Sequence, residues 1–330
     1  MASVPIVAKF FDQIQAGLEQ QGLPVTRLRS LEEFTDPGTP FETADLLVVA
    51  GNLPIDAAVL ARCKSARAIL VPTTGVEGID VEAASDLDII VGNGQFPENF
   101  ESMAEAAVML MLVSTYDLHS SEHLLRTNGA RPADPFARML KRKTIGLIGL
   151  GQIARAVVKR LQPWDVDIIA SVRRVPADVP ETVKIVPLED LLAQSDITVV
   201  LATLNDQTRG LLNYEKLKTT KPDSILICVA RGGIIVEPDL ARLVLEGHFA
   251  KVALDVFAQE PLPADSPLRA LPRTIATPHM VGHTRESFAL FPKVCLESIR
   301  NVLSGRPPVY VKNPAITDRW SEKWKENPLV

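Results

Sequence analysis

The stretch Thr144-Ile145-Gly146-Leu147-Ile148-Gly149-Leu150-Gly151-Gln152-Ile153-Ala154 constrains the fold of this chain more than any other. Ile145 to Ile148 is short, apolar and β-rich, the pattern of a buried strand. Gly149 permits a tight turn, and Gly151 lets a backbone come close to a ligand. Ile153, Ala154, Val157, Val158 and Leu161 then follow at helical spacing. A strand therefore turns through glycines into a helix whose first amides, those of Gln152 and Ile153 among them, point outward. Orphan amides and the positive end of a helix dipole form a diphosphate site. Ala154 fills the third glycine place of the dinucleotide fingerprint, where only close packing of helix on strand is required. A plain α/β turn without a ligand shares this pattern, so the rest of the chain has to decide.

With 330 residues the chain can bury two domain cores. Charged residues are 23% and hydrophobic residues 46%, as in ordinary soluble globular proteins. A net charge of −5 argues against nucleic acid as a main partner. Cys63, Cys228 and Cys295 are odd in number and far apart. They give neither a disulfide framework nor a metal spacing, so no metal is expected and a reducing compartment fits. Met1 to Pro5 has no basic start or signal core. The longest apolar run, 106–113, is too short to span a bilayer. The expectation is a cytoplasmic protein with no membrane partner.

From residue 4 to about 95, β-type runs alternate with helical ones. Strands are predicted at 6–8, 25–28, 46–50, 68–71 and 89–91, and helices at 11–21, 56–63 and 80–85. Such alternation implies a parallel sheet covered on both faces. The turn Pro72-Thr73-Thr74-Gly75-Val76-Glu77-Gly78-Ile79-Asp80 follows a strand, where open α/β sheets bind ligands, although a simple glycine turn reads the same way. Residues 99–126 read as one long helix, too apolar for a surface element, and 127–143 as a connector. A domain boundary falls near residue 100. The second unit starts at Thr144, with further strands at 166–172, 183–186, 197–201, 224–229, 252–254 and 274–276. A last helix is predicted over 288–304, ended by Gly305 and Pro307. Trp320 and Trp324 stand four apart in the tail; docking on a neighbour and capping their own domain both remain open.

NAD-binding units end their second strand in a carboxylate that bonds the adenosine ribose. Here that place holds Ser171-Val172-Arg173-Arg174. A carboxylate would repel a 2′-phosphate, whereas guanidinium groups bind phosphate oxygens with paired bonds. Arg173 and Arg174 therefore point to NADP(H) as the preferred cofactor, with NAD still possible.

Three further strands end in chemistry-bearing loops: Ala230-Arg231-Gly232-Gly233, Asp255-Val256-Phe257-Ala258-Gln259-Glu260-Pro261, and Pro278-His279-Met280-Val281-Gly282-His283-Thr284. Loops at the carboxyl edge of a sheet bring such groups together. Reduction of an α-keto acid needs a hydride, a proton for the oxygen and a cation for the carboxylate. Arg231 can grip the carboxylate through its fork, His279 can donate the proton, and Glu260 can hold His279. Singly, each reads as a structural residue; together, after a dinucleotide fingerprint, they read as a catalytic set.

With these motifs in family order over nearly the whole chain, the sequence resembles the D-isomer-specific 2-hydroxyacid dehydrogenases, the family of glyoxylate/hydroxypyruvate reductase and D-3-phosphoglycerate dehydrogenase. The matching residues are 75–80, 99–105, 144–154, 230–233, 254–261, Pro278-His279 with Gly282 and Thr284, and 305–308. The resemblance implies an α/β protein with a Rossmann-type dinucleotide domain over 101–287. It also implies a flavodoxin-like substrate (lid) domain, discontinuous in sequence, over 1–100 and 288–330. It gives Arg231 substrate binding, Glu260 support of the histidine and His279 the acid/base role. Gly75 and Val76 offer amides to the substrate carboxylate. Thr208, Ala230, Asp255 and Gly282 join Gly149, Gly151, Gln152, Ile153, Arg173 and Arg174 in holding the cofactor, Asp255 at the nicotinamide carboxamide. A homodimer through the cofactor domains is implied as well.

The chain departs from the family pattern at Val172, at residues 201–208, at Cys228 and in the connector, which lacks the usual Trp near Arg131. Glu260, where formate dehydrogenases carry Gln, argues against that activity. The expected activity is reduction of a small 2-keto acid of the glyoxylate or hydroxypyruvate type to the D-2-hydroxy acid. The alternatives are a dinucleotide-sensing corepressor and an NAD-linked D-3-phosphoglycerate dehydrogenase, whose phosphorylated substrate fits poorly with Glu77 in the Gly75 loop.

Overall fold

The computed structural model describes residues 6–27 and 40–329, with the side chains described from residue 10 onward. The chain divides into two compact units: Met1–Asn99 with Thr284–Val330, and Phe100–His283.

The first unit holds a three-stranded sheet in the order β1 (Leu46–Val48), β2 (Ala68–Leu70), β3 (Ile90–Gly92), parallel throughout. Adjacent residues of these strands point to opposite faces. Leu47, Ile69 and Val91 join one apolar cluster, while Ala68, Leu70 and Ile90 join another. Each such Leu or Ile contributes about 1.5–3 kcal/mol on burial. The second face is covered by helix Ile6–Glu19, helix Arg285–Leu303 and the tail.

The expected strand at 6–8 is instead the start of helix Ile6–Glu19. Its β-type composition is overridden by the period that follows, since Phe10, Ile14 and Leu18 fall on one buried stripe. Residues 25–27 are not in a strand, and Leu28 lies outside the described residues. Helix Arg285–Leu303 begins with a Thr284–Ser287 capping box. In the tail, Trp320 is fully buried and donates from Nε1 to the Arg67 carbonyl at 2.8 Å. The Arg67 guanidinium lies 4.0 Å from the Trp324 ring centre. The two tryptophans therefore close their own unit.

The second unit is a seven-stranded parallel sheet in the order β10-β9-β8-β7-β4-β5-β6. Its strands are β4 (Thr144–Ile148), β5 (Asp167–Ser171), β6 (Val183–Ile185), β7 (Ile197–Val200), β8 (Ser224–Cys228), β9 (Phe249–Leu254) and β10 (Thr274–Ala276). The chain starts in the middle at β4, runs out to β6, and returns to the other side at β7. The order reverses between β4 and β7, and open sheets bind ligands outside the carboxyl ends of strands at such a point.

The expected single helix over 99–126 is two, Pro97–Tyr116 and Leu118–Arg126. Asp117 breaks it with φ of 47° and presents its carboxylate to Lys251 at 2.5 Å. Lys251 on β9 is only 7% exposed, and a buried ammonium needs such a partner. No helix among the described residues is long and apolar enough to cross a membrane.

Candidate active site

Around β4 the local structure follows from its glycines. Gly149 takes φ of 97°, and a Cβ there would stand 2.9 Å from the backbone of Ala202. Gly151 caps helix Gln152–Leu161 without a side-chain hydrogen bond, and a Cβ there would meet nothing within 4 Å. The helix thus opens with free amides at Gln152 and Ile153 above clear space, a fit for a dinucleotide diphosphate. Ala154 is fully buried against the sheet.

Two loops flank this turn. After β5 come Arg173 and Arg174, both exposed and with no carboxylate at the strand end. Arg173 donates from Nη1 to Gln207 Oε1 at 2.9 Å, reaching the loop that follows β7. In that loop the Thr208 hydroxyl donates to the Thr203 carbonyl at 2.7 Å and accepts from the Asn205 amide at 2.8 Å. Thr208 therefore braces its own loop.

The ionisable set lies past β8, β9 and β10. Arg231 follows β8 and the nearly buried Ala230, whose carbonyl accepts from Arg231 Nη1 at 2.7 Å. At Gly232 a Cβ would stand 1.8 Å from the carbonyl carbon of Phe257, so only glycine lets the Arg231 segment pack on the Glu260 segment. Glu260 binds with both oxygens: Oε1 accepts from the Phe257 amide at 2.9 Å, and Oε2 lies 2.6 Å from His279 Nδ1. Burial pushes the Glu260 carboxyl up. The hydrogen bonds from His279 and the Phe257 amide, with the charges of His279 and Arg231, more than offset this and hold it below its ordinary value.

His279 sits in the left-handed region with φ of 51°, unusual for a side chain of its size. Asp255 holds it there. The Asp255 carbonyl accepts from the His279 amide at 2.8 Å. Asp255 Oδ1 accepts from the Thr277 hydroxyl at 2.7 Å and from the amides of Met280 and Val281 at 2.9 and 3.1 Å. Asp255 is 1% exposed, and burial keeps its carboxyl above the ordinary value despite these bonds. Gly282 is buried, and its carbonyl accepts from the Ser102 hydroxyl at 2.9 Å. The His283 ring lies 6.4 Å from the His279 ring, and desolvation together with that neighbour lowers it to about 4.

Gly75 and Val76 lie in the first unit. Their loop is tied to its surroundings by the Asn93 side chain on the Thr74 carbonyl at 2.7 Å and by the Thr74 hydroxyl on Asn99 Oδ1 at 2.8 Å. The structure thus brings Arg231, Glu260, His279 and Asp255 together in one unit, with the glycine turn and the Arg173 pair at the same sheet edge. Sequence reading missed Thr277, Ser102 and Gln207. A hydroxyl two residues before His279 was a visible signal for the first; the other two act across the fold. Among the described residues no cluster of His, Cys, Asp or Glu is placed to hold a metal.

The sequence and the fold have known counterparts. The family model described as D-isomer specific 2-hydroxyacid dehydrogenase, NAD binding domain, matches residues 108–281. The chain belongs to that family. It is 32% identical over 264 residues to a D-3-phosphoglycerate dehydrogenase of Mycobacterium tuberculosis, covering 79% of this chain and 50% of the relative. It is 28% identical over 320 residues to glyoxylate/hydroxypyruvate reductase B of Pectobacterium atrosepticum, covering 95% and 98%. The crystal structure of TT0316 protein from Thermus thermophilus superposes with a TM-score of 0.77 at 28% identity, covering 91% of this chain and 96% of that one. The chain spans about half the length of the phosphoglycerate dehydrogenases it matches.

Proposed function

We propose that the chain is an NADPH-preferring reductase of small 2-keto acids of the glyoxylate or hydroxypyruvate type, giving the D-2-hydroxy acid. The observation that carries this reading is the bond between Glu260 and His279 beside Arg231, at the edge that also presents the dinucleotide turn. The nicotinamide, when bound, supplies the hydride that reaches the keto carbon. His279, held at Nδ1 by Glu260, gives the proton from Nε2 to the keto oxygen. Arg231 grips the carboxylate through its fork and polarises the carbonyl. Gly75 and Val76 remain our proposed amide donors to that carboxylate. Gly149, Gly151, Gln152 and Ile153 would take the diphosphate, with Thr208, Ala230 and Gly282 lining the cofactor and Asp255 at the carboxamide.

NADP preference is supported by Arg173 and Arg174 at a strand end without a carboxylate. Replacing both by Ala is expected to raise the KM for NADPH at least about tenfold and leave that for NADH nearly unchanged, since paired guanidinium–phosphate bonds are charge-assisted. Wild-type turnover led by NADH would overturn the cofactor proposal while keeping the enzyme.

A second reading, an enzyme acting on a phosphorylated hydroxy acid, is favoured by the names of the 32% identical relatives. Turnover of phosphohydroxypyruvate well ahead of hydroxypyruvate would establish it. We also propose cytoplasmic residence, supported by three free buried thiols, Cys63 raised to about 11 and Cys228 and Cys295 to about 12 by burial. A homodimer is proposed from the exposed Met109, Tyr116, Leu118, Leu125, Phe136 and Met139, large apolar side chains gathered in one stretch.

A further inference from the structure

The loop that carries Glu260, residues 257–263, has no regular secondary structure. Its shape is set by what holds its two ends. At the entrance, the Ala258 amide donates to Glu237 Oε1 at 2.5 Å. Glu237 opens helix Glu237–Leu245, just after the turn that carries Arg231. At the exit, Arg269 Nε donates to the Pro263 carbonyl at 2.8 Å, and its Nη2 donates to the Leu262 carbonyl. Arg269 belongs to the short 3-10 helix Pro267–Ala270, itself anchored by the buried Leu268. One planar fork thus spans two successive carbonyls just past Glu260-Pro261.

We propose that Arg269 and Glu237 are positioning residues: they clamp the Glu260 loop and through Glu260 set the orientation of the His279 imidazole. This rests on the proposed role of His279 as acid/base. Neither residue touches the reacting atoms. Both act on backbone, and Arg269 is exposed, so its loss costs little global stability. A lysine cannot replace the fork, because its single ammonium cannot bridge two carbonyls in one plane. A glutamine can replace Glu237, because it keeps an acceptor oxygen for the Ala258 amide.

The test is a set of double-mutant cycles with Glu260→Gln. Arg269→Ala and Glu237→Ala are expected to lower kcat about tenfold, with the KM for the coenzyme nearly unchanged, as a misplaced acid costs turnover more than binding. Arg269→Lys is expected to behave like the alanine variant, and Glu237→Gln like wild type. In the Glu260→Gln background both alanine changes are expected to cost less than about twofold. Undiminished losses in that background, or kcat within about twofold of wild type in the single variants, would overturn the proposal.

The His279 ring resonances, assigned with His279→Ala, read the same coupling without substrate. Glu260, Asp255 and His283 are titratable groups that interact with that ring. Arg269→Ala is expected to shift the His279 ring resonances in the direction that Glu260→Gln shifts them. Unmoved resonances would overturn the clamp. Absence of keto-acid turnover by wild type would instead strike the proposed function, and the two failures stay separate.

Discussion

A carboxylate taken out of water costs free energy whenever it is ionised, and Asp255 is in that position at 1% exposure. Its three side-chain hydrogen bonds all fall on Oδ1, so it serves the His279 loop as an acceptor first and as a charge second. Burial raises its folded-state pKa above the unfolded value. The sign follows: the cost is present above the folded value and fades as the pH falls toward the unfolded one. Asp255→Asn keeps an acceptor and removes the charge. The variant is expected to melt at or above wild type at neutral pH, with the difference shrinking to nothing near about pH 4. Thermal unfolding across pH measures this; a variant less stable than wild type at neutral pH would show that the charge itself holds the loop. Glu260 is the opposite case. Its folded value is depressed, so whatever its pairing adds to stability is complete above the unfolded value and lost as the pH falls through the folded one.

Among the elements, the break between helices Pro97–Tyr116 and Leu118–Arg126 has the clearest energetic cause. Asp117→Ala leaves Lys251 buried on β9 with its ion-pair partner removed. Breaking a buried pair from one side costs about 3–5 kcal/mol, against under about 1 for an exposed pair such as Arg126–Glu122. Urea unfolding of Asp117→Ala and Glu122→Ala side by side measures the contrast; equal small losses would contradict it. This break also shows what local sequence cannot reveal. Residues 99–126 keep an unbroken helical pattern, and the reason for stopping at Asp117 lies on a strand 134 residues away. The same holds for residues 6–8, a β-type triplet whose helical state follows from the buried stripe Phe10, Ile14 and Leu18 beyond it. By contrast, β4 and its turn are legible in full. Glycine, alanine and apolar residues there are demanded by backbone geometry within a dozen positions. The Arg231, Glu260 and His279 set is legible because each follows an apolar strand. The braces from Thr277, Ser102 and Glu237 are not, since a hydroxyl or carboxylate on a loop has many possible partners.

For the molecule as a whole, two parallel-sheet units are interleaved in sequence, the first built from both ends of the chain. The buried Trp320 and the Arg67–Trp324 stack account for the tail within that unit. They leave the apolar stretch 109–139 as the surface proposed for self-association. Sedimentation is expected to give about twice the 36.0 kDa chain mass, and Leu125→Glu, at a position 85% exposed in the single chain, to shift the protein toward monomer. A monomeric wild type would contradict the proposal. Arg231, Glu260 and His279 are proposed to reduce a small 2-keto acid with a nicotinamide hydride. The most direct measurement is the loss of nicotinamide absorbance with glyoxylate and with hydroxypyruvate, for wild type and for His279→Ala, with NADPH and with NADH. Wild type is expected to turn over with NADPH ahead of NADH, and His279→Ala to fall by about 10²- to 10⁴-fold with coenzyme binding retained. Near-normal turnover by His279→Ala, or coenzyme binding by wild type without turnover of either acid, would contradict it.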